Sequence, residues 1–217
     1  MNALAEQVRT YGLATAPQLL QGPALSQLQS EAERLVSQFT VHGYRSDDYW
    51  FFEQAGTREP ILYRIHNLEQ QGSAPINALF ADGPLHELAT DVLGCEARPT
   101  VCAMIVKMPR HAARVPWHRD RTSVPPNTVI NLSLFLDDSN SDNGCIEYVP
   151  QSHLLPEDAD VTAVHQRGPI EAAPARAGDV LVHDVRAVHA SRSNSTDAFR
   201  RSIVIEFAPI DLDLPHS

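Results

Sequence analysis

The chain has no hydrophobic run long enough to cross a membrane. None of its apolar stretches approaches the roughly 18 residues that a membrane-spanning helix needs. The first residues, MNALAEQVRTYG, have neither the basic segment nor the apolar segment of a secretory leader. We therefore predict a cytoplasmic protein with no membrane partner.

Cysteine is scarce and lysine is almost absent. Cys95, Cys102 and Cys145 form no C-x-x-C pair, and an odd set cannot pair completely, so we expect reduced thiols. Lys107 is the only lysine among 17 basic residues; the others are arginines, whose planar forks suit carboxylates and phosphates. The formal net charge of −10 argues against a nucleic-acid partner, because binding nucleic acid requires a basic surface.

The length of 217 residues, with 43% hydrophobic and 20% charged residues, is typical of one globular domain. Upstream of residue 98 two helices are predicted. One begins after Gly22-Pro23, and the other runs from Pro84 to a stop at Gly94. The apolar stripe of the first helix consists of Leu25, Leu28, Ala32, Leu35, Val36 and Phe39. A strand is expected at 60–68, where Ile61 and Ile65 alternate with polar residues.

Downstream of Arg98 the pattern changes to short strands between turns rich in Asn, Asp, Gly and Pro. The predicted strands are 100–108, 115–119, 127–136, 145–149, 161–165, 179–183, 186–190 and 201–208. About eight short strands favour a sandwich or jelly roll over a sheet with helical crossovers. We predict a mainly β protein with one domain over 1–217, in which 1–97 is a helix-rich support and 98–210 is the jelly-roll core.

The strand around 129–136 has two different faces. Asn131 and Ser133 share one face with Phe135, and the opposite face carries the apolar residues Ile130, Leu132, Leu134 and Leu136. One interpretation is a barrel wall whose inner side lines a polar cavity. The alternative is that Asn131 and Ser133 simply face solvent.

His118 and Asp120 are separated by one residue, and a second histidine, His189, follows late in the chain. Residues two apart on a strand point to the same face. Two imidazoles and one carboxylate can hold one face of an octahedral iron(II) ion and leave positions open for a co-substrate and O₂. Arg200 could then pair with the far carboxylate of a chelated 2-oxoacid. By itself an H-x-D pair is a weak signal in a chain with ten histidines.

Further segments occur in an ordered series with this triad. Lys107-Met108-Pro109 and the run 115–120 resemble a K-x-P…P-W-H-x-D pattern, and 142–153 resembles N-G-x-L-x-x-x-P-G-S-H. The segment from Gly178-Asp179 through His189, Ser191 and Asn194 to Arg200 resembles G-D…H-x-S…N…R. Together with the stretch 11–20, these segments are spread along the chain from residue 11 to residue 200, so the resemblance extends over nearly its whole length. The chain resembles the phytanoyl-CoA dioxygenase-like family of Fe(II)/2-oxoglutarate-dependent oxygenases.

The resemblance implies a double-stranded β-helix, that is, a jelly-roll core, with helices packed on one side. It places the iron ligands on His118, Asp120 and His189, and the 2-oxoglutarate anchor on Arg200 with help from Ser191. We also expect Asn131 and Ser133 to contribute to the co-substrate pocket. The implied cofactors are Fe(II), 2-oxoglutarate and O₂.

The resemblance also carries departures and secondary expectations. The family's P-G-S-H has Gln151 in place of its glycine, which puts the turn geometry in doubt, because a side chain tolerates positive φ poorly. We expect His153 and His183 to be structural, through a turn hydrogen bond and strand packing respectively. Arg119 should face away from the ligands beside it.

The implied reaction is oxidation of a small organic molecule while 2-oxoglutarate and O₂ become succinate and CO₂. Related halogenases carry a small residue at the position of Asp120, so hydroxylation, desaturation or ring formation is expected instead. Two alternatives stay open: a non-catalytic jelly-roll binding protein, and a cupin-type zinc or manganese enzyme that uses no 2-oxoacid.

Four residues are candidates for the substrate site. Tyr63, Arg64, His66 and Arg121 are candidate substrate residues, because they precede the barrel or adjoin the metal ligands. Arginines near the site favour an anionic substrate, with a place on the solvated surface as the alternative. For the aromatic side chains the alternative is core packing. We expect a monomer or homodimer acting in natural-product or small-acid metabolism.

Overall fold

Two antiparallel sheets form the centre of the computed structural model, which describes residues 3–53, 56, 58–81, 83–111 and 113–214. The helices are α1 (Ala3–Tyr11), α2 (Gly22–Thr40), α3 (Ala74–Asn77), α4 (Pro84–Leu93) and α5 (Val161–Arg167). The strands are β1 (Leu13–Ala16), β2 (Tyr49–Glu53), β3 (Pro60–His66), β4 (Ala97–Lys107), β5 (Val115–His118), β6 (Ile130–Phe135), β7 (Ile146–Tyr148), β8 (Glu171–Ala173), β9 (Val180–Asp184), β10 (His189–Ser191) and β11 (Arg200–Pro209). Within these described ranges no helix is long and apolar enough to cross a membrane.

The larger sheet has seven strands in the order β1-β9-β6-β11-β4-β3-β2, and the smaller has four in the order β5-β10-β7-β8. Strands far apart in sequence are therefore neighbours, as in a jelly roll. Side chains from both sheets line one cavity. The predicted fold class is confirmed. The segment 1–97 adds strands as well as helices, because β1 pairs with β9 and β3 pairs with β4.

Helices cover the face of the larger sheet that lies away from the cavity. The buried side chains of α2 and α4 recur at spacings of three and four, as one face of a helix requires. They form one core cluster with the apolar face of β6, including Leu132 and Leu134. A proline in the first turn marks the start of both α2 and α4, and Gly94, with φ of 73°, ends α4.

The two faces of β6 are both buried. Its apolar face packs under the helices, while Asn131 and Ser133 line the cavity with exposed fractions of 6% and 1%. The alternative in which these two polar residues face solvent is therefore wrong. A helix layer on one side and a second sheet on the other remove both faces from water.

One predicted strand is a helix. The segment 161–165 belongs to α5, although Val161, Thr162 and Val164 favour a strand locally. Asp160 supplies the decisive local signal, because its carboxylate accepts a hydrogen bond from the Thr162 amide at 2.8 Å and caps the helix. The elements α1, α3, β2 and β8 were not predicted from the sequence.

Strands near the site are shorter than predicted, β6 and β7 among them. Residues 186–188 of the expected strand 186–190 lie in a turn, in which the Ala187 amide donates to the Asp184 carbonyl at 2.9 Å, and β10 begins only at His189. β5 ends at His118, one residue before the predicted end at 119. Gln151 adopts the left-handed conformation with φ of 64°, so the turn keeps the geometry of a glycine although a side chain is present.

Gly178→Ala should destabilise the fold by about 2–4 kcal/mol, which combines left-handed strain with overpacking. Gly178 has φ of +92°, and a Cβ there would lie 2.2 Å from the Leu20 carbonyl oxygen. Gly72→Ala is the matched control, because its φ is +69° but nothing lies within 4 Å. We expect about 1 kcal/mol for the control in urea unfolding. Equal losses in the two variants would contradict the assigned clash.

Candidate metal centre

Three side chains converge at the end of the smaller sheet. His118 and His189 lie opposite each other in the register of β5 and β10. One ligand atom from each of His118, Asp120 and His189 lies within 4.8 Å of the others. Nε2 of His118 is 3.3 Å from Asp120 Oδ1, and Nε2 of His189 is 3.8 Å from Asp120 Oδ2. The described residues therefore bring together the predicted triad.

His118 and Asp120 do not lie on one continuous strand, contrary to the prediction from the sequence pattern. A continuous strand would place both on one face, but β5 ends at His118 and Asp120 lies in the following turn. The Asp120 amide donates to the Val185 carbonyl at 2.9 Å. A backbone contact with the chain just before β10 thus directs the carboxylate, not the two-residue period of a strand.

Backbone carbonyls orient both imidazoles. Nδ1 of His118 lies 2.8 Å from the Pro116 carbonyl, and Nδ1 of His189 lies 2.9 Å from the Ala187 carbonyl. When Nδ1 carries the proton for such a bond, the lone pair of Nε2 points at the site and can bind a metal. Both rings therefore present the same nitrogen toward Asp120.

The electrostatics of the site favour an ionised Asp120 and a neutral His189. Burial acts to raise the pKa of Asp120, but His189, His118 and His183 outweigh it and hold that pKa well below its usual range. Burial lowers the pKa of His189 to about 3. Burial also acts to lower the pKa of His118, yet its bond to Asp120 leaves it raised. A metal ion would replace that proton.

Two further side chains hold Asp120. Its Oδ2 accepts a hydrogen bond from Asn131 Nδ2 at 2.8 Å and lies 3.1 Å from His183 Nε2. His183 is thus more than the strand-packing residue that was predicted. Asn131 and His183 are cross-strand partners on β6 and β9, so both point at the same carboxylate. The alternation along β6 is a sequence signal that could identify Asn131 as a residue of the cavity. The sequence around His183 contains no signal that it contacts Asp120.

The donor set fits an iron(II) ion. Two imidazole nitrogens and one carboxylate oxygen, on one side of a cavity, are the ligands of a facial triad. His183 and Asn131 fix the carboxylate as the outer partners of a metal ligand do. His153 lies elsewhere: its Nε2 is 3.1 Å from the Arg9 carbonyl, so it joins the N-terminal helix to the barrel.

Arg200 is 2% exposed and lines the same cavity. Its Nη1 donates to Ser202 Oγ at 3.2 Å and its Nη2 to the Gly144 carbonyl at 3.1 Å. Its Nε is buried and has no acceptor among the described residues. Burial lowers the pKa of Arg200 to about 10. A buried guanidinium with an unused donor fits an anionic co-substrate. Ser202 and the Gly144 carbonyl were not predicted as its supports.

Arg201 and Arg119, the arginines next to Arg200 and the metal ligands in sequence, bind protein groups instead. Arg201 points the opposite way and forms two hydrogen bonds with Asp137, each 2.8 Å long. Arg119 faces away from the ligands and donates to the carbonyls of Pro156 and Ser152. Lys107, also buried, donates to three carbonyl oxygens, those of Ala113, Ser191 and Arg192.

The cavity has a volume of about 870 Å³ and includes the triad, Arg200, Ser191 and Ser133. Of the predicted substrate residues, Arg64, His66 and Arg121 also line it. Arg121 pairs with the Glu206 carboxylate through two hydrogen bonds of 2.9 and 3.0 Å. Tyr63 instead lines a separate cavity of about 230 Å³ with Phe51 and Phe52. The structure therefore gathers three of the four on the metal side.

Comparison with known proteins gives one consistent result. The sequence model described as phytanoyl-CoA dioxygenase (PhyH) matches residues 8–202. AviO1 from Streptomyces viridochromogenes Tue57 is 47% identical, with a TM-score of 0.94 over 99% of this chain and 97% of its own. The ectoine dioxygenase of Nocardia farcinica is 23% identical over 95% of this chain and 78% of its own. The epimerase SnoN, in complex with Fe³⁺, alpha ketoglutarate and nogalamycin RO, shares the fold at 23% identity, with a TM-score of 0.78 over 95% of this chain and 82% of its own. The chain therefore belongs to the phytanoyl-CoA dioxygenase family of Fe(II)/2-oxoglutarate-dependent dioxygenases.

Proposed function

We propose that this chain oxidises a small, polar organic molecule at a site made by His118, Asp120 and His189. The oxidation is coupled to conversion of 2-oxoglutarate and O₂ into succinate and CO₂. The observation that carries the proposal is the placement of a buried arginine with an unused Nε donor in the same cavity as the triad. A metalloenzyme that uses no oxoacid has no need for such a group.

The side chains have separate roles in this proposal. The two Nε2 atoms and the Asp120 carboxylate would hold Fe(II), while His183 and Asn131 keep that carboxylate in place. Iron and 2-oxoglutarate, when bound, supply the activation of O₂ that protein side chains cannot perform. Arg200 would pair with the distal carboxylate of 2-oxoglutarate, with Ser191 and Ser133 beside it.

Asp120 also bears on the type of reaction. A carboxylate fills the position at which related halogenases carry a small residue, so no halide can take its place. We therefore propose hydroxylation, desaturation or ring formation. The polar lining of the cavity favours natural-product or small-acid metabolism over acyl-CoA breakdown. Succinate release that requires a fatty acyl-CoA would contradict this part of the proposal.

Arg200→Met should weaken 2-oxoglutarate binding roughly 10- to 100-fold, the loss expected for a charge-assisted pair worth about 1.5–3 kcal/mol. The measurement is the weak visible absorption that develops when Fe(II) protein is titrated anaerobically with 2-oxoglutarate. Fe(II) affinity should change little, because Arg200 does not belong to the triad. The matched control is Arg110→Met, which removes an exposed arginine paired with Asp197.

Two results would favour other functions. A wild-type protein that binds Fe(II) but shows no absorption change with 2-oxoglutarate would support a non-catalytic jelly roll or a cupin-type enzyme. Turnover with zinc or manganese in the absence of 2-oxoglutarate would select the second of these. Unchanged 2-oxoglutarate affinity in Arg200→Met would leave the enzyme class intact but remove Arg200 as the anchor.

A further inference from the structure

The guanidinium group of Arg64 on β3 has no direct hydrogen-bond or ion-pair partner among the described residues, although the charge of Asp120 attracts it from across the cavity. Its Nε is buried without an acceptor, and none of the described residues forms a hydrogen bond or ion pair with its guanidinium group. Burial lowers the pKa of Arg64, as expected for a cation removed from water. A charge in this position is costly to the folded protein unless something else binds it.

The other arginines of the interior do have partners. Arg119 and Arg186 donate to backbone carbonyls, while Arg121 and Arg201 pair with the carboxylates of Glu206 and Asp137. Even Arg200 is held by Ser202 and the Gly144 carbonyl. The lack of a partner at Arg64 is therefore a property of this position, not of buried arginines in this chain.

Arg64 and Arg200 act on different parts of the cavity. Arg64 lies opposite Ile105 on β4, which lies opposite Ser202 on β11, the residue that supports Arg200. Two strand spacings separate the Arg64 and Ser202 backbones by roughly 10 Å. Both side chains line the same cavity. Arg64 and Arg200 therefore lie in different parts of the cavity, two strands apart across the larger sheet.

His66 adds a second unused polar group beside Arg64. His66 follows Arg64 by two residues on β3 and also lines the cavity. Its Nε2 is buried and has no hydrogen-bond partner among the described residues. Burial lowers its pKa to about 4, so the ring is neutral near pH 7. Trp50 packs on the imidazole with ring centroids 3.9 Å apart, and its indole N–H is taken by the Asp47 carbonyl. The ring is therefore held in place.

We propose that Arg64 and His66 bind an anionic group of the primary substrate, a carboxylate or a phosphoryl group. Arg64 supplies the charge and His66 one hydrogen bond, while Trp50 holds the imidazole. The carboxylate whose charge acts on Arg64 is that of Asp120, which in the proposed function is a ligand of Fe(II) and is therefore committed to the metal. The other cavity carboxylate, Glu206, is already paired with Arg121. The inference rests on the proposed function, since it assigns the Arg200 part of the cavity to 2-oxoglutarate.

Thermal unfolding tests whether Arg64 is kept for binding. In the anaerobic protein loaded with Fe(II) and 2-oxoglutarate, Arg64→Met should raise the unfolding midpoint by roughly 2–4 °C, because a half-buried charge without a direct partner is replaced by an apolar side chain. Arg110→Met should leave the midpoint within about 1 °C, as expected for an exposed position. A midpoint lowered by several degrees in Arg64→Met would show that Arg64 serves the fold and would overturn the proposal.

Calorimetric titration tests the ligand class. The probes are methylphosphonate for a phosphoryl group and benzoate for a carboxylate, added at low ionic strength to the loaded protein. We expect at least one probe to bind wild type and Arg110→Met equally, and to bind Arg64→Met at least tenfold more weakly. His66→Ala should weaken the same probe severalfold, while 2-oxoglutarate affinity changes less than twofold in both site variants.

Each contrary result has a defined meaning. Absence of probe binding to wild type, or equal binding to Arg64→Met, would overturn the proposal. A loss of 2-oxoglutarate affinity in Arg64→Met as large as that in Arg200→Met would assign Arg64 to the co-substrate instead. If wild type shows no visible absorption with 2-oxoglutarate, the proposed function fails, and titration of the Fe(II) protein without 2-oxoglutarate still tests Arg64.

Discussion

Asp120→Ala is expected to abolish succinate release, with a loss of at least roughly 10³-fold, and to leave the purified protein with little bound iron. The change removes one of three ligands, whereas loss of an outer partner of a ligand typically costs only about 10- to 100-fold. It also leaves His183 Nε2 and Asn131 Nδ2 without their common acceptor. Both effects act on the same ion, so activity and metal content should fall together.

The measurement pairs succinate release from 2-oxoglutarate with iron content by elemental analysis. Asp197→Ala is the matched control, because its carboxylate is exposed and paired only with Arg110 in the described structure. Asp120→Glu keeps the charge but lengthens the side chain, so part of the iron binding should return without full turnover. Undiminished succinate release in Asp120→Ala would show that the metal site lies elsewhere.

Arg186→Met should cost about 3–5 kcal/mol of folding free energy, because it removes a charged donor from several buried carbonyls, and each buried acceptor left unsatisfied costs about 1–3 kcal/mol. The guanidinium group donates to the carbonyls of Thr122 and Val124 at 2.6 and 2.9 Å, of His153 at 3.0 Å, and of Leu155. Methionine would leave these buried acceptors unpaired. One side chain thus joins the turn after Asp120 to the 3₁₀ helix Ser152–Leu154.

Urea unfolding of the metal-free protein measures this loss directly. Arg186→Lys should lose less, because an ammonium group keeps the charge and some of the carbonyl contacts. Arg110→Met, at the surface, should stay within about 0.5 kcal/mol of wild type. Iron affinity should also fall in Arg186→Met, since the segment 120–124 becomes less well held. A free energy of unfolding within 1 kcal/mol of wild type would refute the assigned network.

Local pattern was enough to predict the helices that cover the sheet. The spacing of Leu28, Ala32 and Leu35 follows one face of a helix, and proline and glycine mark where α2 begins and α4 ends. The same reasoning failed at 161–165, where β-branched residues favour a strand but the Asp160 cap and surface position allow a helix. Propensity is a weak preference, and one satisfied cap reverses it.

The sequence by itself determined the donor types, His118, Asp120, His189 and Arg200, because ligand chemistry depends on residue identity and order. Only the tertiary structure decided how they are used. The Val185 carbonyl directs Asp120, His183 and Asn131 hold its carboxylate, and the Gly144 carbonyl holds Arg200. It also decided that Arg64 keeps a charge without a direct partner in the cavity. These partners come from strands and turns far apart in the chain. The order of strands in the sheets brings them together, and no local sequence pattern predicts that order.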